Sequence, residues 1–302
     1  MTEVTLVEVG PRDGLQNEKA PVPTGAKIRF IEALAGAGIR RIEATAFVSP
    51  KAIPQLADST AVLLGIARKE GVTYSALVPN EKGYDAAKVA GADEVAVFTA
   101  ASETFNQRNI HASIEESFAR FLPVFERARA DGVPVRGYVS TAIVCPYEGR
   151  VEPRIVASLA RRLLDLGCRE VSLGDTIGKA VPPDVRRLLD ACRAEGILDR
   201  VAGHFHDTWG FAVANTLAAF EAGVRVFDAS AGGLGGCPFA PGAGGNVATE
   251  DLVALFDALG IRTGIDLGAV VSAASAMETH LGRAVGGRAA QAYKAACTRN
   301  GG

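Results

Sequence analysis

Several residue types with distinctive chemistry are scarce in this 302-residue chain, which has one tryptophan, two methionines, four histidines and five cysteines. No two cysteines form a C-x-x-C pair, which argues against a zinc knuckle or a redox dithiol. Their odd number and scatter also argue against a disulfide framework. We therefore expect reduced thiols at all five positions, which are Cys145, Cys168, Cys192, Cys237 and Cys297.

The chain also lacks an excess of charge and a long apolar run. Its 32 basic and 34 acidic residues leave a net charge of −2, and no lysine or arginine cluster suggests binding to nucleic acid or to a membrane surface. No stretch approaches the 18 or more apolar residues of a membrane span, and the first residues lack the basic and apolar regions of a signal peptide. We expect a cytoplasmic protein without a nucleic-acid or membrane partner.

Eight short apolar runs alternate with longer segments in which apolar residues recur at helical spacing. This rhythm predicts an α/β fold, a (β/α)₈ TIM barrel over residues 1–264, with 265–302 as a C-terminal helical extension of the same domain. A doubly wound open sheet is the alternative. The predicted strands span residues 4–9, 40–47, 73–78, 94–100, 134–140, 170–175, 201–207 and 224–230.

Two of the four histidines, His204 and His206, stand two residues apart in the seventh run. Strand side chains alternate, so both imidazoles point the same way, about 6.5–7 Å apart along the strand. Barrel enzymes keep their active sites at this end of the strands. Together with the Asp13 carboxylate, and the Asn246 carbonyl as a further ligand, the imidazoles predict a site for Mg²⁺ or Mn²⁺. The alternative is a pair of hydrogen-bonded pocket histidines without metal.

Other polar residues close or occupy the apolar runs. Arg12 stands beside Asp13 in a turn begun by Gly10 and Pro11, where it could contact an anionic substrate or form a surface ion pair. Glu43 is an acid among apolar residues, which suits a partner for Arg12 or another barrel arginine and does not exclude a catalytic role. Asp175 either orients a histidine or caps a helix.

The eighth run is followed by a glycine-rich loop, residues 232–246, that carries Cys237. Such a loop either cradles a phosphate through its backbone N–H groups or forms a lid that brings the cysteine over the site. A cysteine between glycine and proline is an unusual choice for core packing, so we favour a functional thiol.

These segments resemble those of the 3-hydroxy-3-methylglutaryl-CoA lyase family, within the metal-dependent barrel lyases and condensing enzymes. The resemblance extends from residue 8 to about residue 253. It rests on the segments EVGPRDGLQNE, EATAFVSPKAIPQ, AASETFNQRNIHASIEESF, CPYEG, SLGDTIG, HFHDTWG and GGLGGCPFAPGAGGNVATEDL.

The resemblance implies cleavage of an acyl-CoA thioester, 3-hydroxy-3-methylglutaryl-CoA, to acetyl-CoA and acetoacetate, a reaction of leucine catabolism and ketone-body formation. It also implies a homodimer or higher homo-oligomer. Arg12 is implied to contact the substrate and transition state, Cys237 to be the catalytic thiol, and Glu43 and Asp175 to support catalysis. The metal ligands that it implies are Asp13, His204, His206 and Asn246.

The sequence departs from the family pattern at Thr141, Val144, Phe205 and Trp209. A side chain at Val144, where glycine is common, would reshape the pocket at the end of the fifth strand. A lyase for a longer 3-hydroxy-3-alkylglutaryl-CoA, or a related metal-dependent aldolase, is therefore the alternative. A non-catalytic acyl-CoA-binding protein is a further reading, against which the full set of site residues argues.

Overall fold

The computed structural model describes residues 3–19, 21–236 and 245–300. Its ten strands include eight that pair in parallel and close into a barrel in the order β1-β10-β9-β8-β5-β4-β3-β2, which confirms the predicted (β/α)₈ fold and excludes the open sheet. Two short strands, β6 and β7, form an antiparallel hairpin. The strands are β1 (Thr5–Glu8), β2 (Arg41–Ala46), β3 (Thr73–Leu77), β4 (Glu94–Ala100), β5 (Val135–Ser140), β6 (Val144–Cys145), β7 (Gly149–Arg150), β8 (Cys168–Asp175), β9 (Val201–Phe205) and β10 (Val226–Ala229).

Helices surround the barrel and bury their apolar faces against the outside of the strands. None of the helices in the part of the chain just delimited is long and apolar enough to cross a membrane. The helices are α1 (Thr24–Gly36), α2 (Ser59–Gly65), α3 (Glu81–Val89), α4 (Glu103–Ile110), α5 (Ile114–Asp131), α6 (Pro153–Leu166), α7 (Pro182–Ala194), α8 (Ala212–Ala222), α9 (Thr249–Ala258), α10 (Leu267–Leu281) and α11 (Arg288–Asn300).

The predicted C-terminal extension contains two helices, α10 and α11. Helix α10 packs on α1 and α9, and α11 packs on α9. Val270 and Met277 of α10 lie in the same hydrophobic core as the barrel strands. The boundary at residue 264 stays a prediction, but the core does not stop there.

The barrel interior is rich in ionised side chains, whereas barrel cores more often hold branched apolar residues. Arg136 of β5 is 1% exposed and pairs with Glu170 at 2.8 Å and with Asp228 at 2.7 Å. Arg41 of β2 also pairs with Glu170, at 3.2 Å. Because buried charges need partners, this network holds its own side chains in fixed positions inside the barrel.

Candidate metal and active site

The two histidines lie side by side at the end of β9, as the alternation predicted. Their ring centroids are 5.1 Å apart, with the rings nearly perpendicular, and both side chains line a cavity of about 670 Å³. Phe205 between them points outward into the main hydrophobic core. The apolar residue between the imidazoles thus anchors the strand while both imidazoles face the cavity.

Asp13 joins the histidines from the other side of the β1–β10 seam. It lies in a short π-helical turn, Gly10–Gly14, that follows β1. One ligand atom from each of Asp13, His204 and His206 lies within 4.8 Å of the others. Burial opposes ionisation of Asp13, but Arg12 and both imidazoles hold the pKa of its carboxyl well below the usual range. A carboxylate and two imidazoles therefore form a group that could hold a divalent cation.

The hydrogen bonding of the His206 imidazole fits a metal site. Nδ1 of His206 lies 3.2 Å from the backbone carbonyl oxygen of Asp175. Its Nε2 is buried and has no hydrogen-bond partner among the described residues. A buried polar atom without a partner is costly, and a cation between His206 and Asp13 would satisfy it.

Asn246 lies beside this triad because the backbone places it there. Residues His206 and Asn246 form an antiparallel β-bridge, and the N–H of Val247 donates to the carbonyl of Phe205 at 3.0 Å. The Asn246 amide donates from Nδ2 to Oδ2 of Asp13 at 2.8 Å. The structure thus brings together all four residues predicted as metal ligands.

Arg12 and Glu43 form a buried pair next to Asp13. Nε of Arg12 lies 2.5 Å from Oε2 of Glu43, and NH1 lies 2.6 Å from Oδ1 of Asp13. Since Arg12 is 6% exposed and Glu43 1% exposed, the alternative of a surface ion pair is wrong. Burial raises the pKa of Glu43, although Arg12 opposes the shift. Glu43 holds the Arg12 guanidinium at the cavity wall.

Asp175 contributes to the site by a route that the sequence did not reveal. Its carboxylate accepts the backbone N–H groups of Lys179 and Ala180, at 3.2 and 3.0 Å, so the side chain stabilises the turn after β8. The acceptor for His206 is instead the Asp175 backbone carbonyl. Burial raises the pKa of the Asp175 carboxyl to about 6, although those backbone donors favour the ionised form.

Sequence reasoning missed Asp228, which lies on β10 beneath His204. Its Oδ2 is 3.0 Å from Nδ1 of His204. The missed signal was an acid in the apolar run VRVFDAS, placed like Glu43 in its own run. Tyr138 was also missed, and the guanidinium carbons of Arg12 and Arg136 lie 5.6 and 4.9 Å from the centroid of its ring.

Three departures from the family pattern, Val144, Phe205 and Trp209, are absent from the residues that line the cavity. Val144 packs against the main hydrophobic core, whereas the cavity wall at the end of β5 is formed by Val139 and Ser140. Phe205 points into that core as well. Trp209 is 57% exposed, with the Lys179 ammonium 5.4 Å from its ring. The structure therefore does not bear out the expected reshaping of the pocket by Val144, because this side chain packs against the core and is not among the residues that line the cavity.

Cys237, predicted as the catalytic thiol, lies outside the described residues. The structure describes the two ends of its loop, up to Gly236 and from Gly245 onward. Gly236 lines the same cavity as the two histidines. The role of Cys237 stays a prediction.

The chain is similar to known proteins over its whole length. A family model described as HMGL-like matches residues 3–277. Hydroxymethylglutaryl-CoA lyase of Pseudomonas mevalonii is 52% identical over 299 residues, 99% of each chain. The 3-hydroxy-3-isohexenylglutaryl-CoA/hydroxy-methylglutaryl-CoA lyase of Pseudomonas aeruginosa is 54% identical, over 97% of this chain and 98% of that one. The crystal structure of hydroxymethylglutaryl-CoA lyase from Pseudomonas aeruginosa superposes with a TM-score of 0.95 at 53% identity, over 97% and 98% of the two chains.

Proposed function

This chain belongs to the HMGL-like family, and we propose that it is a carbon–carbon lyase that cleaves 3-hydroxy-3-methylglutaryl-CoA to acetyl-CoA and acetoacetate. The observation that carries the proposal is the buried group of Asp13, His204 and His206 with Arg12 beside it at the cavity wall. The relatives that share at least half of the sequence are named for this reaction.

The reaction breaks the bond between C2 and C3 of the acyl group. The C3 hydroxyl loses its proton and becomes the ketone of acetoacetate, while the electron pair of the broken bond moves to C2 and forms the enolate of acetyl-CoA. Protonation at C2 completes acetyl-CoA. The protein must therefore accept one proton, stabilise one enolate oxygen and return one proton.

The buried site supports a role for Arg12 at that enolate oxygen. Its guanidinium is fixed by Glu43 and Asp13, so it stabilises the developing charge without having to reorganise. Asp175 holds the turn after β8 and, through its carbonyl, the ring of His206. Glu43 and Asp175 thus act by positioning other groups.

We assign Asp13, His204, His206 and Asn246 as the ligands of a divalent cation, Mg²⁺ or Mn²⁺, because nitrogen and oxygen donors without thiolate suit these ions. When bound, the cation supplies Lewis-acid polarisation of the substrate oxygens. Chelation should abolish turnover, and added Mg²⁺ or Mn²⁺ should restore it. Full turnover by a preparation verified as metal-free would refute the assignment.

Cys237 is the proposed acid that protonates C2. Replacement by serine should lower turnover by about 10²-fold or more, the usual range for a positioned acid or base, with metal affinity retained. The same thiol should react with alkylating agents faster than Cys168, because burial raises the pKa of Cys168. Peptide mapping of alkylated protein with and without substrate measures both rates. A near-active serine variant with slow labelling of Cys237 would remove the catalytic role.

A wider substrate range is the second candidate function. An apolar wall of the cavity includes Val48, Ile53, Leu77 and Phe98, which pack with Tyr138 next to Arg12. Such a wall would accept a 3-alkyl group larger than methyl, and one relative is named for both a methyl and an isohexenyl substrate.

The test is acetyl-CoA release from a panel of 3-hydroxy-3-alkylglutaryl-CoA thioesters and 4-hydroxy-2-oxo acids. We expect cleavage of the methyl compound, and cleavage of longer homologues if the second candidate is correct. Turnover of the oxo acids alone would favour a metal-dependent aldolase. Binding of the thioesters without turnover would favour a non-catalytic acyl-CoA-binding protein. The cytoplasmic location and the homo-oligomeric state stay predictions, and sedimentation analysis tests the latter.

A further inference from the structure

The Asp228 carboxylate lies in the barrel interior beneath His204 and is fully partnered. Its side chain is 0% exposed. Oδ1 accepts a hydrogen bond from NH2 of Arg136 at 2.7 Å. Oδ2 accepts one from the Ser172 hydroxyl at 2.7 Å and lies 3.0 Å from Nδ1 of His204. The two oxygens thus face different groups.

These partners determine which ring nitrogen of His204 carries the proton. A guanidinium only donates hydrogen bonds, so the atom facing Arg136 must be an acceptor. An ionised carboxylate offers acceptors alone, so Nδ1 of His204 must carry the proton if it is to bond with Oδ2. A neutral imidazole protonated at Nδ1 keeps its lone pair on Nε2, the nitrogen left to face Asp13 and the cavity.

We propose that Asp228 is a positioning residue that fixes the tautomer of His204, placing the proton on Nδ1 so that Nε2 is free to bind the metal. His206 obtains the same tautomer from the backbone carbonyl of Asp175, which no side-chain substitution removes. His204 is therefore the ligand whose tautomer depends on a side chain. The proposal rests on the proposed metal site for its consequence, but the tautomer itself can be measured without metal or substrate.

The substitution Asp228→Asn should reverse the tautomer, because Arg136 decides which way the new amide points. The guanidinium requires an acceptor, so the amide oxygen occupies the Oδ1 position and the NH₂ group occupies the Oδ2 position. That NH₂ donates toward Nδ1 of His204, which must then lack a proton. The proton moves to Nε2 and blocks the nitrogen that faces the metal site.

The first experiment uses the unaltered protein. Nitrogen-15 NMR of histidine-labelled, metal-free protein at about pH 9, well above the ordinary imidazole pKa, distinguishes protonated from unprotonated ring nitrogens. The chain has four histidines, so replacing His111, His206 and His280 in turn identifies the signals of those three and leaves that of His204. We expect His204 to be protonated at Nδ1. Protonation at Nε2 in the unaltered protein would overturn the proposal, whatever the fate of any variant.

The second experiment is titration with Mn²⁺, followed by electron paramagnetic resonance. Loss of a hydrogen-bond partner behind a metal-binding histidine commonly lowers metal affinity 10–100-fold, and we expect a loss of about this size in the Asp228→Asn variant. The matched control is Ser172→Ala, which removes the other donor to Oδ2 but leaves that oxygen an acceptor. The control should bind Mn²⁺ with an affinity within about 3-fold of that of the unaltered protein. A merely structural role for the network would instead predict a similar loss of affinity in both variants.

A loss of metal affinity in the Asp228→Asn variant must be distinguished from a loss of folding. Asp228→Asn also removes a counter-ion from buried Arg136, so its melting temperature should fall, and circular dichroism establishes the temperature at which it is folded. Folded Asp228→Asn protein that keeps its Mn²⁺ affinity would overturn the proposal. Neither experiment uses an acyl-CoA, so both results can be interpreted even if the protein does not catalyse the proposed lyase reaction.

Discussion

At the scale of single residues, the site depends on charged groups held in place before any ligand arrives. Arg12 shows this most clearly, because its guanidinium is buried between two carboxylates at hydrogen-bond distance. The planar guanidinium has five N–H donors in a fixed fork, so it can bond both carboxylates and still present donors to the cavity, whereas a lysine ammonium has three donors on a flexible stem.

Arg12→Lys should therefore lower kcat far more than it raises KM. Removing one donor to a developing oxyanion typically costs about 10²–10³-fold in rate. Steady-state kinetics with 3-hydroxy-3-methylglutaryl-CoA measure both constants. Arg186→Lys is a matched control, because Arg186 pairs with Glu221 on the surface and its replacement should change neither constant. A defect confined to KM would make Arg12 a substrate-binding residue only.

Glu8 makes stability depend on pH. Burial raises its pKa from 4.5 to about 7, although the Thr249 hydroxyl and the backbone N–H groups of Ala231 and Gly10 favour the ionised form. Between those two pH values the folded state binds one more proton at Glu8 than the unfolded state does. Stability from this group is therefore present below pH 4.5 and is lost as the pH rises through 7.

The test compares the free energy of unfolding in urea of the unaltered protein with that of the Glu8→Gln variant between pH 5 and pH 8. The stability of the unaltered protein relative to Glu8→Gln should fall as the pH rises, by up to about 1.4 kcal/mol per pH unit. The amide does not titrate, so it supplies the reference. Parallel profiles would show that Glu8 has an ordinary pKa.

Much of the site could be predicted at this scale, for a reason visible in each residue. His204, His206 and Asp13 were found because rare, chemically active side chains stand at strand ends. Asp228 was missed because one acid in an apolar run has many explanations until the neighbouring strand, β9, places the His204 imidazole beside it. The distinction between the carboxylate and the carbonyl of Asp175 depends on backbone direction, which residue types do not specify.

At the scale of elements, strand and helix positions follow from patterns that are local in the chain. Each predicted barrel strand has a counterpart in the structure, because apolar alternation and glycine-terminated helices define both ends. The π-helical turn after β1 was predicted only as a turn, since Gly10 and Pro11 indicate a change of direction without its geometry. The hairpin of β6 and β7 was not predicted, because two-residue strands carry too little pattern.

Helix α5 begins with a capping box that should carry measurable stability. The Ser113 hydroxyl accepts the N–H of Glu116 at 3.1 Å, and the Glu116 carboxylate accepts the N–H of Ser113 at 2.7 Å. Ser113→Ala should lower the free energy of unfolding by about 1 kcal/mol without changing kcat. Ser113→Asp restores an acceptor and should recover most of the loss. Equal stability of all three proteins in urea would mean that the cap contributes nothing.

At the scale of the whole molecule, the C-terminal helices complete the barrel's core. Helix α10 buries Val270, Ala273 and Met277. The backbone N–H of Gly287 donates to Glu250 at 2.7 Å, and Glu250 also accepts the N–H of Gly232 at the start of the glycine-rich loop, at 3.0 Å. The extension is thereby joined to a segment that borders the active site.

Removal of residues 265–302 should therefore yield insoluble or unfolded protein, because it exposes the apolar surface that α10 covers. Removal of residues 288–302 should be far milder, since α11 is exposed along most of its length. Thermal melting of both truncated proteins makes the comparison. A protein lacking 265–302 that melts like the full chain would show that the barrel is complete without the extension.

The backbone bridges around Asn246 also bear on how such enzymes diversify. Ser230 is paired with Ala248, and His206 with Asn246, so backbone bridges hold the residues that flank the glycine-rich loop. An insertion, a deletion or an exchange of the stretch between them would leave the carbonyl and amide of Asn246 where the strands hold them. We therefore expect the proposed metal ligands to tolerate changes in the cysteine-bearing stretch. A graft of residues 237–244 from a relative with another acyl preference is therefore a natural starting point for directed evolution.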